Sequence, residues 1–166
     1  APGAVMPLIE NRLRADSGRV ILDAEPAALD AYLTRRTADG FRVNLNHLGE
    51  AVLGEAEAGR RLDAVLAHLR NPRVTYISVK ISAVFSQINL VAWDDTLSAI
   101  QDRLRLLYRA ALPERKFVNL DMEEYRDLGL TLAAFRGVLD APEFRGLSAG
   151  VVLQAYLPDS WAAQQE

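Results

Sequence analysis

Strands and helices alternate four times along this chain, which limits the folds open to it. Each predicted strand is followed by a helix at intervals of roughly 30–40 residues, and no Asn-Gly hairpin signal lies between two strands. This pattern is typical of βα units that build a parallel sheet, so we predict an α/β fold. The predicted strands are 41–50, 74–82, a segment from 116 that ends at Asp121, and 150–156.

Each predicted strand carries apolar residues on one face and polar residues on the other. In the third strand Val118 and Leu120 alternate with Asn119 and Asp121. Parallel strands buried on both faces usually read as nearly continuous apolar runs, so a polar face indicates one wall of a polar site. At or near the carboxyl end of each strand lies a charged or amide residue: Glu50, Lys80, Asp121 and Gln154.

These four residues would lie together at one end of the barrel if the strands were arranged as in an α/β barrel. In barrels, alternate residues point inward and the site forms at the carboxyl ends of the strands. Such a cluster suits a zwitterionic ligand, with Lys80 for its carboxylate and Asp121 or Glu50 for its amine. Each residue could instead be a solvated group at the start of a loop, and the alternation leaves both interpretations open.

Composition excludes several classes of protein. The 166 residues, half of them hydrophobic, are enough for a domain with a sizeable core, and the net charge of −3 gives no electrostatic case for nucleic acid binding. The absence of cysteine excludes disulfides and suits a reducing compartment, in agreement with an expected cytoplasmic location. There is no signal-peptide pattern, and no apolar run approaches the roughly 18–20 residues of a membrane span.

Other candidate residues have simpler explanations. The two histidines, His47 and His68, have no metal-ligand spacing, so we predict no metal site. Glu123 and Glu124 are interpreted as acids in the first turn of a helix, where they favour its dipole. No glycine-rich phosphate-binding motif follows any strand, so nucleotide binding of the Rossmann or P-loop kind is unsupported.

Four segments resemble the proline dehydrogenase family, in particular the dehydrogenase part of the bacterial bifunctional proline-utilisation flavoenzymes and their monofunctional relatives. The segments are LGEAVLGEAEA, ISVKISA, FVNLDMEEYRDLGLT and GVVLQAYLPDS, in the family's order. The resemblance implies the first half of a (βα)8 TIM-like barrel over 41–166, preceded by a helical segment over 1–40. It also implies an enzyme that binds FAD, oxidises L-proline to 1-pyrroline-5-carboxylate and passes electrons to membrane quinone, with peripheral membrane association left open.

The resemblance gives roles to individual residues. Lys80 matches the lysine that pairs with the proline carboxylate, and Asp121 matches the active-site aspartate. Met122 corresponds to a position that touches the flavin, and Gln154 to the glutamine that hydrogen-bonds the flavin ring. Glu50 matches a glutamate near the substrate pocket.

The chain also departs from the family pattern. The motif R-x-V-K-G, whose arginine reaches the flavin, is absent after QAYLPDS, as are the paired arginines that clamp the substrate carboxylate. The chain starts without methionine and ends without a helix stop, so we expect it to be part of a longer protein. We expect the isolated chain to bind FAD poorly and to turn over no proline. The alternative is a non-catalytic α/β module that associates with another chain.

Overall fold

The computed structural model describes residues 2–18, 21–22, 25–46 and 52–165, and the side chains from residue 5 onward within these ranges. The chain divides into two units, Ala1–Phe41 and Arg42–Glu166. Candidate site residue Glu50 lies outside the described residues, as does His47.

The first unit is helical. Helix α1 spans Pro2–Ser17 and continues through Pro7. Helix α2 spans Pro26–Ala38 and begins with a proline, whose missing N–H has no partner to lose in a first helical turn. Leu29 and Leu33, one turn apart in α2, are buried.

The second unit is built on a parallel sheet of four strands in the order β1-β2-β3-β4, which confirms the predicted strand arrangement. The strands are shorter than predicted: β1 is Asn44–Asn46, β2 is Tyr76–Val79, β3 is Phe117–Asp121 and β4 is Ala149–Val152. The helices are α3 (Glu55–Arg70), α4 (Ile81–Val84), α5 (Trp93–Ala111), α6 (Leu128–Leu139) and α7 (Pro158–Gln165). The second strand was predicted to reach Ser82, but the short helix α4 begins directly after Lys80.

One face of the sheet forms the core of this unit. Ile77 and Val79 of β2 pair in register with Val118 and Leu120 of β3, and all four side chains are buried. Helix α5 contacts β3 and packs between α3 and α6, with Ile100, Leu104, Leu107 and Tyr108 among its buried residues. The apolar half of the alternation is therefore the half that faces the helices.

The other face of the sheet is polar. Asn46, Ser78, Asn119 and Gly150 lie in register across the four strands. A Cβ added at Gly150 would lie 2.9 Å from the Phe117 ring and 3.0 Å from Asn119 Oδ1. Glycine is therefore required for β4 to approach β3 this closely.

A buried lysine joins the end of α3 to the start of β3. Lys116 is 2% exposed, and its Nζ donates to the carbonyl oxygens of Leu69 and Asn71, each at 2.6 Å. Glu114 lies 3.4 Å from the same ammonium. Since the last carbonyls of a helix have no partner within the helix, Lys116 satisfies acceptors that would otherwise be buried unpaired.

Candidate active site

Three of the five predicted site residues lie at one edge of the sheet. Lys80 directly follows β2, Asp121 is the last residue of β3, and Gln154 comes two residues after β4. Because Val79 pairs with Leu120, Lys80 and Asp121 lie at the same level of neighbouring strands. Parallel strands present their carboxyl ends at a common edge, where α/β proteins commonly bind ligands.

Asp121 is held by asparagine side chains from two strands. Its Oδ2 accepts a hydrogen bond from Asn46 Nδ2 at 3.0 Å, and its Oδ1 accepts one from Asn119 Nδ2 at 3.3 Å. Asn119 also reaches Ser78 Oγ at 3.3 Å, and Asn44 donates to the same hydroxyl oxygen at 2.9 Å. The polar face is thus a connected network of amides and a hydroxyl that fixes the aspartate carboxylate.

The pKa of Asp121 is set by opposing effects. Its pKa is raised, first because the carboxylate is partly desolvated and then because Glu123 is nearby. The Lys80 ammonium and the hydrogen bond from Asn46 oppose this rise without cancelling it. A carboxyl group with a raised pKa is better suited to accept a proton than an ordinary surface aspartate.

Lys80 is paired with a residue that the sequence did not assign to the site. Its Nζ lies 2.7 Å from Glu123 Oε1, with side-chain exposures of 17% for Lys80 and 57% for Glu123. The interpretation of Glu123 as a helix first-turn acid is wrong, because α6 begins only at Leu128, after a 3-10 turn over Tyr125–Asp127. The sequence signal that could have found Glu123 is its place two residues after the strand-end aspartate.

The loop after β3 is fastened to the segment after β4. Gln154 Nε2 donates to the backbone oxygen of Glu123 at 2.8 Å, and the Tyr125 hydroxyl donates to Asp159 Oδ2 in α7. Through these contacts Gln154 and Glu123 are neighbours, and Glu123 in turn reaches Lys80. The ends of β2, β3 and β4 are therefore linked side by side.

Met122 lies apart from this polar cluster. Its side chain is 3% exposed and packs with Leu128 and Leu132 of α6, against partly buried Val151, Leu153 and Ala163. Successive strand residues point to opposite faces, so the residue after Asp121 turns towards the helices. A flavin contact at this position would have to come from the backbone.

The cavity next to Asp121 is too small for a substrate, so the open polar face is the space for a ligand there. The cavity beside Asp121, between Ser82, Glu123 and Thr131, has a volume of about 20 Å³, room for about one water molecule. By contrast, Asn44 and Asn46 on the polar face are exposed. Over the ranges that the structure describes, no group of three or more potential ligands could hold a metal ion, and no helix has the length and hydropathy to cross a membrane.

Comparison with known proteins places this geometry in a family. The sequence model described as proline dehydrogenase matches residues 29–166. The solved structure of Proline Utilization A (PutA) from Corynebacterium freiburgense is 49% identical, with a TM-score of 0.85 over 93% of this chain. PutA from Bdellovibrio bacteriovorus inactivated by N-propargylglycine is 28% identical, with a TM-score of 0.89 over 99% of this chain. The bifunctional protein PutA of Escherichia coli (strain K12) is 29% identical over 70% of this chain.

These relatives are much longer than the chain. It spans 16% and 19% of the two solved chains and 10% of the Escherichia coli protein. The matches confirm the resemblance seen in the sequence and the α/β fold as part of a TIM-like barrel.

Proposed function

Because the chain belongs to the proline dehydrogenase family, we propose that it supplies part of the active site of an FAD-dependent enzyme that oxidises L-proline to 1-pyrroline-5-carboxylate. The observation that carries the proposal is the grouping of Lys80, Asp121 and Gln154 at the carboxyl edge of β2, β3 and β4. An ammonium, a carboxylate and an amide there complement both the charges of an amino acid and the polar edge of a flavin.

Lys80 and Asp121 bind the two charged ends of proline in this proposal. Lys80 already holds a carboxylate, that of Glu123, at 2.7 Å, so its position suits recognition of the proline carboxylate. Asp121 orients the proline nitrogen and accepts its proton, as its raised pKa favours. The substrate loses this proton from nitrogen to Asp121, and the hydride from the adjacent carbon would go to FAD when it is bound. Glu50 lies near the substrate in this proposal, on the strength of the family motif alone.

The chain's residues fit a flavin in their hydrogen-bonding chemistry. The Gln154 amide carries both a donor and an acceptor, as do the polar atoms along a flavin ring, and Met122 would contribute a backbone contact. FAD, when bound, supplies the hydride acceptor, while the protein positions the reactants around it. We further propose, from family membership, that electrons pass to a membrane quinone and that the intact enzyme works in the cytoplasm or at the membrane surface.

A chimaera tests the proposed function. Residues 42–165 would replace the corresponding segment of the Corynebacterium freiburgense PutA, which is 49% identical to this chain. We expect the purified chimaera to carry flavin and to reduce a dye in the presence of proline. In the chimaera, Lys80→Met should raise the KM for proline at least about tenfold, because an ion pair to the substrate is lost. Asp121→Asn should mainly lower kcat.

The unaltered relative is the positive control. The negative control is an exposed arginine before β2 that has no role in the proposal: Arg73→Met should leave both constants unchanged. A folded chimaera without flavin, or one that oxidises no proline, would contradict the proposal.

A further inference from the structure

The Glu123 carboxylate is paired with Lys80, the group that would bind a substrate carboxylate in the proposed function. We propose that Glu123 competes internally for Lys80. A substrate carboxylate must displace Glu123 in order to bind. The inference rests on the proposed function, because it takes Lys80 as the carboxylate-binding group. It makes Glu123 a residue that sets the affinity of the site for carboxylates. Neither the sequence pattern nor the family resemblance gave Glu123 that role.

The geometry of the ion pair supports this competition. Glu123 Oε1 and Lys80 Nζ are 2.7 Å apart, which is the distance of a charge-assisted hydrogen bond. The Lys80 side chain is 17% exposed, so little of it is open to solvent while Glu123 is in place. A carboxylate arriving from the polar face would compete for this ammonium, whose positive charge Glu123 already neutralises. Glu123 and the ligand therefore exclude each other, at least in part.

Glu123 can leave Lys80 without unfolding the site. Its backbone is held by the hydrogen bond from Gln154 Nε2 to its carbonyl oxygen, while its side chain is 57% exposed. A rotation of the side chain would release Lys80 and keep the loop in place. Since ion pairs with one exposed partner are weak, displacement lowers ligand affinity only a few-fold.

The charge of Asp121 also bears on this competition. Glu123 is one of the groups that raise the pKa of Asp121, so the two carboxylates repel each other. Pairing with Lys80 offsets this repulsion for Glu123. A ligand carboxylate that takes Lys80 leaves Glu123 free to turn into solvent, away from Asp121.

The test uses cyclopentanecarboxylate, which has a five-membered ring and a carboxylate but no amine. Its binding to the full 166-residue chain is followed by NMR titration of the backbone amides near Lys80 and Asp121. We expect Glu123→Gln to tighten binding about threefold, because the competitor loses its charge. Lys80→Met should weaken it at least about tenfold, and the uncharged cyclopentanecarboxamide should not bind.

The matched control is Glu124→Gln, which removes the same charge from the neighbouring exposed residue and should leave the affinity unchanged. A second readout is the carboxyl carbon of Glu123, whose resonance should move as ligand is added to the wild-type chain. The carboxyl carbon of Glu124 should stay in place.

The outcomes separate the two proposals. If Lys80→Met abolishes binding but Glu123→Gln leaves it unchanged or weaker, the competition is overturned and Lys80 keeps its role. If Lys80→Met has no effect on binding, the role of Lys80 is overturned and the competition with it. If neither the wild-type chain nor Glu123→Gln binds the carboxylate, the competition is overturned for this chain.

Discussion

At the scale of single residues, the polar face contains a carboxylate, Asp121, that suits a chemical role but lowers the stability of the fold. Asp121 sits at the end of β3 with its carboxylate partly buried, and the two asparagines that hold it do not compensate fully for the lost water. A group whose charged form is disfavoured in the folded state lowers stability at the pH where it is ionised. Sites built for function often carry such a cost.

Removing the charge of Asp121 should stabilise the chain at neutral pH. Because the folded-state pKa is raised, the favourable contribution of the protonated carboxyl is present at acid pH and is lost as the pH rises through that pKa. Asp121→Asn should therefore unfold at a higher urea concentration than the wild type at pH 7. The difference should shrink below the ordinary aspartate pKa of about 3.9.

Asp63→Asn is the charge-matched control for this experiment, since Asp63 is an exposed carboxylate on α3. Its unfolding midpoint should follow that of the wild type at both pH values. A lower midpoint for Asp121→Asn at pH 7 would mean that the Lys80 attraction outweighs the desolvation.

At the scale of secondary structure, the junction between α3 and β3 depends on one buried cation. Lys116 supplies charge-assisted hydrogen bonds to two carbonyl oxygens at the end of α3. The position of Lys116 just before a strand does not indicate in the sequence that its side chain will be buried. Its ammonium is buried because it donates to the carbonyl oxygens of Leu69 and Asn71, which are distant in sequence.

Lys116→Met should destabilise the second unit by about 2–3 kcal/mol, because both carbonyl oxygens lose a charged donor. Methionine keeps the side-chain volume similar, so the loss reports mainly the hydrogen bonds. Urea unfolding followed by circular dichroism measures the change. Glu114→Gln isolates the ion pair, and since Glu114 is half exposed its effect should be less than about 1 kcal/mol. Equal effects of the two variants would show that the ion pair and not the carbonyl contacts matters.

At the scale of the whole molecule, the described part of the chain ends its sheet at β4. Val152 of β4 is 41% exposed, and Tyr156 and Trp161 beyond it are more exposed still. An exposed strand edge with apolar neighbours is a surface on which further strands or a partner can pair. Both the proposed enzyme and the alternative of a module that associates with another chain are consistent with this edge.

We expect the 166-residue chain alone to purify without flavin and to show no proline-dependent dye reduction. In the part of the chain that the structure describes, the polar face offers a flavin the residues of four strands, and the sequence lacks the R-x-V-K-G motif that the family resemblance leads us to expect near a flavin. Visible absorbance of the purified chain and a dye-reduction assay measure both properties, with the chimaera described above as the positive control. Flavin that co-purifies together with proline turnover would contradict this expectation.

The sequence by itself determined the α/β class, the four parallel strands and the polar character of one sheet face. A period of two in short segments reports local burial, and burial on one face is a property of each strand separately. It also pointed to Lys80, Asp121 and Gln154 as strand-end residues. Their roles stay predictions, as do those of Glu50 and Met122.

Only the tertiary structure decided where the strands end, which residues pair and which are buried. Strand β2 ends at Val79 because α4 begins at Ile81, a boundary that alternation through Ser82 hides. The pairing of Glu123 with Lys80 and the burial of Lys116 join residues more than forty positions apart, and no local pattern encodes such contacts. Periodicity fixes the direction in which a side chain points, whereas its partner is set by how the elements pack.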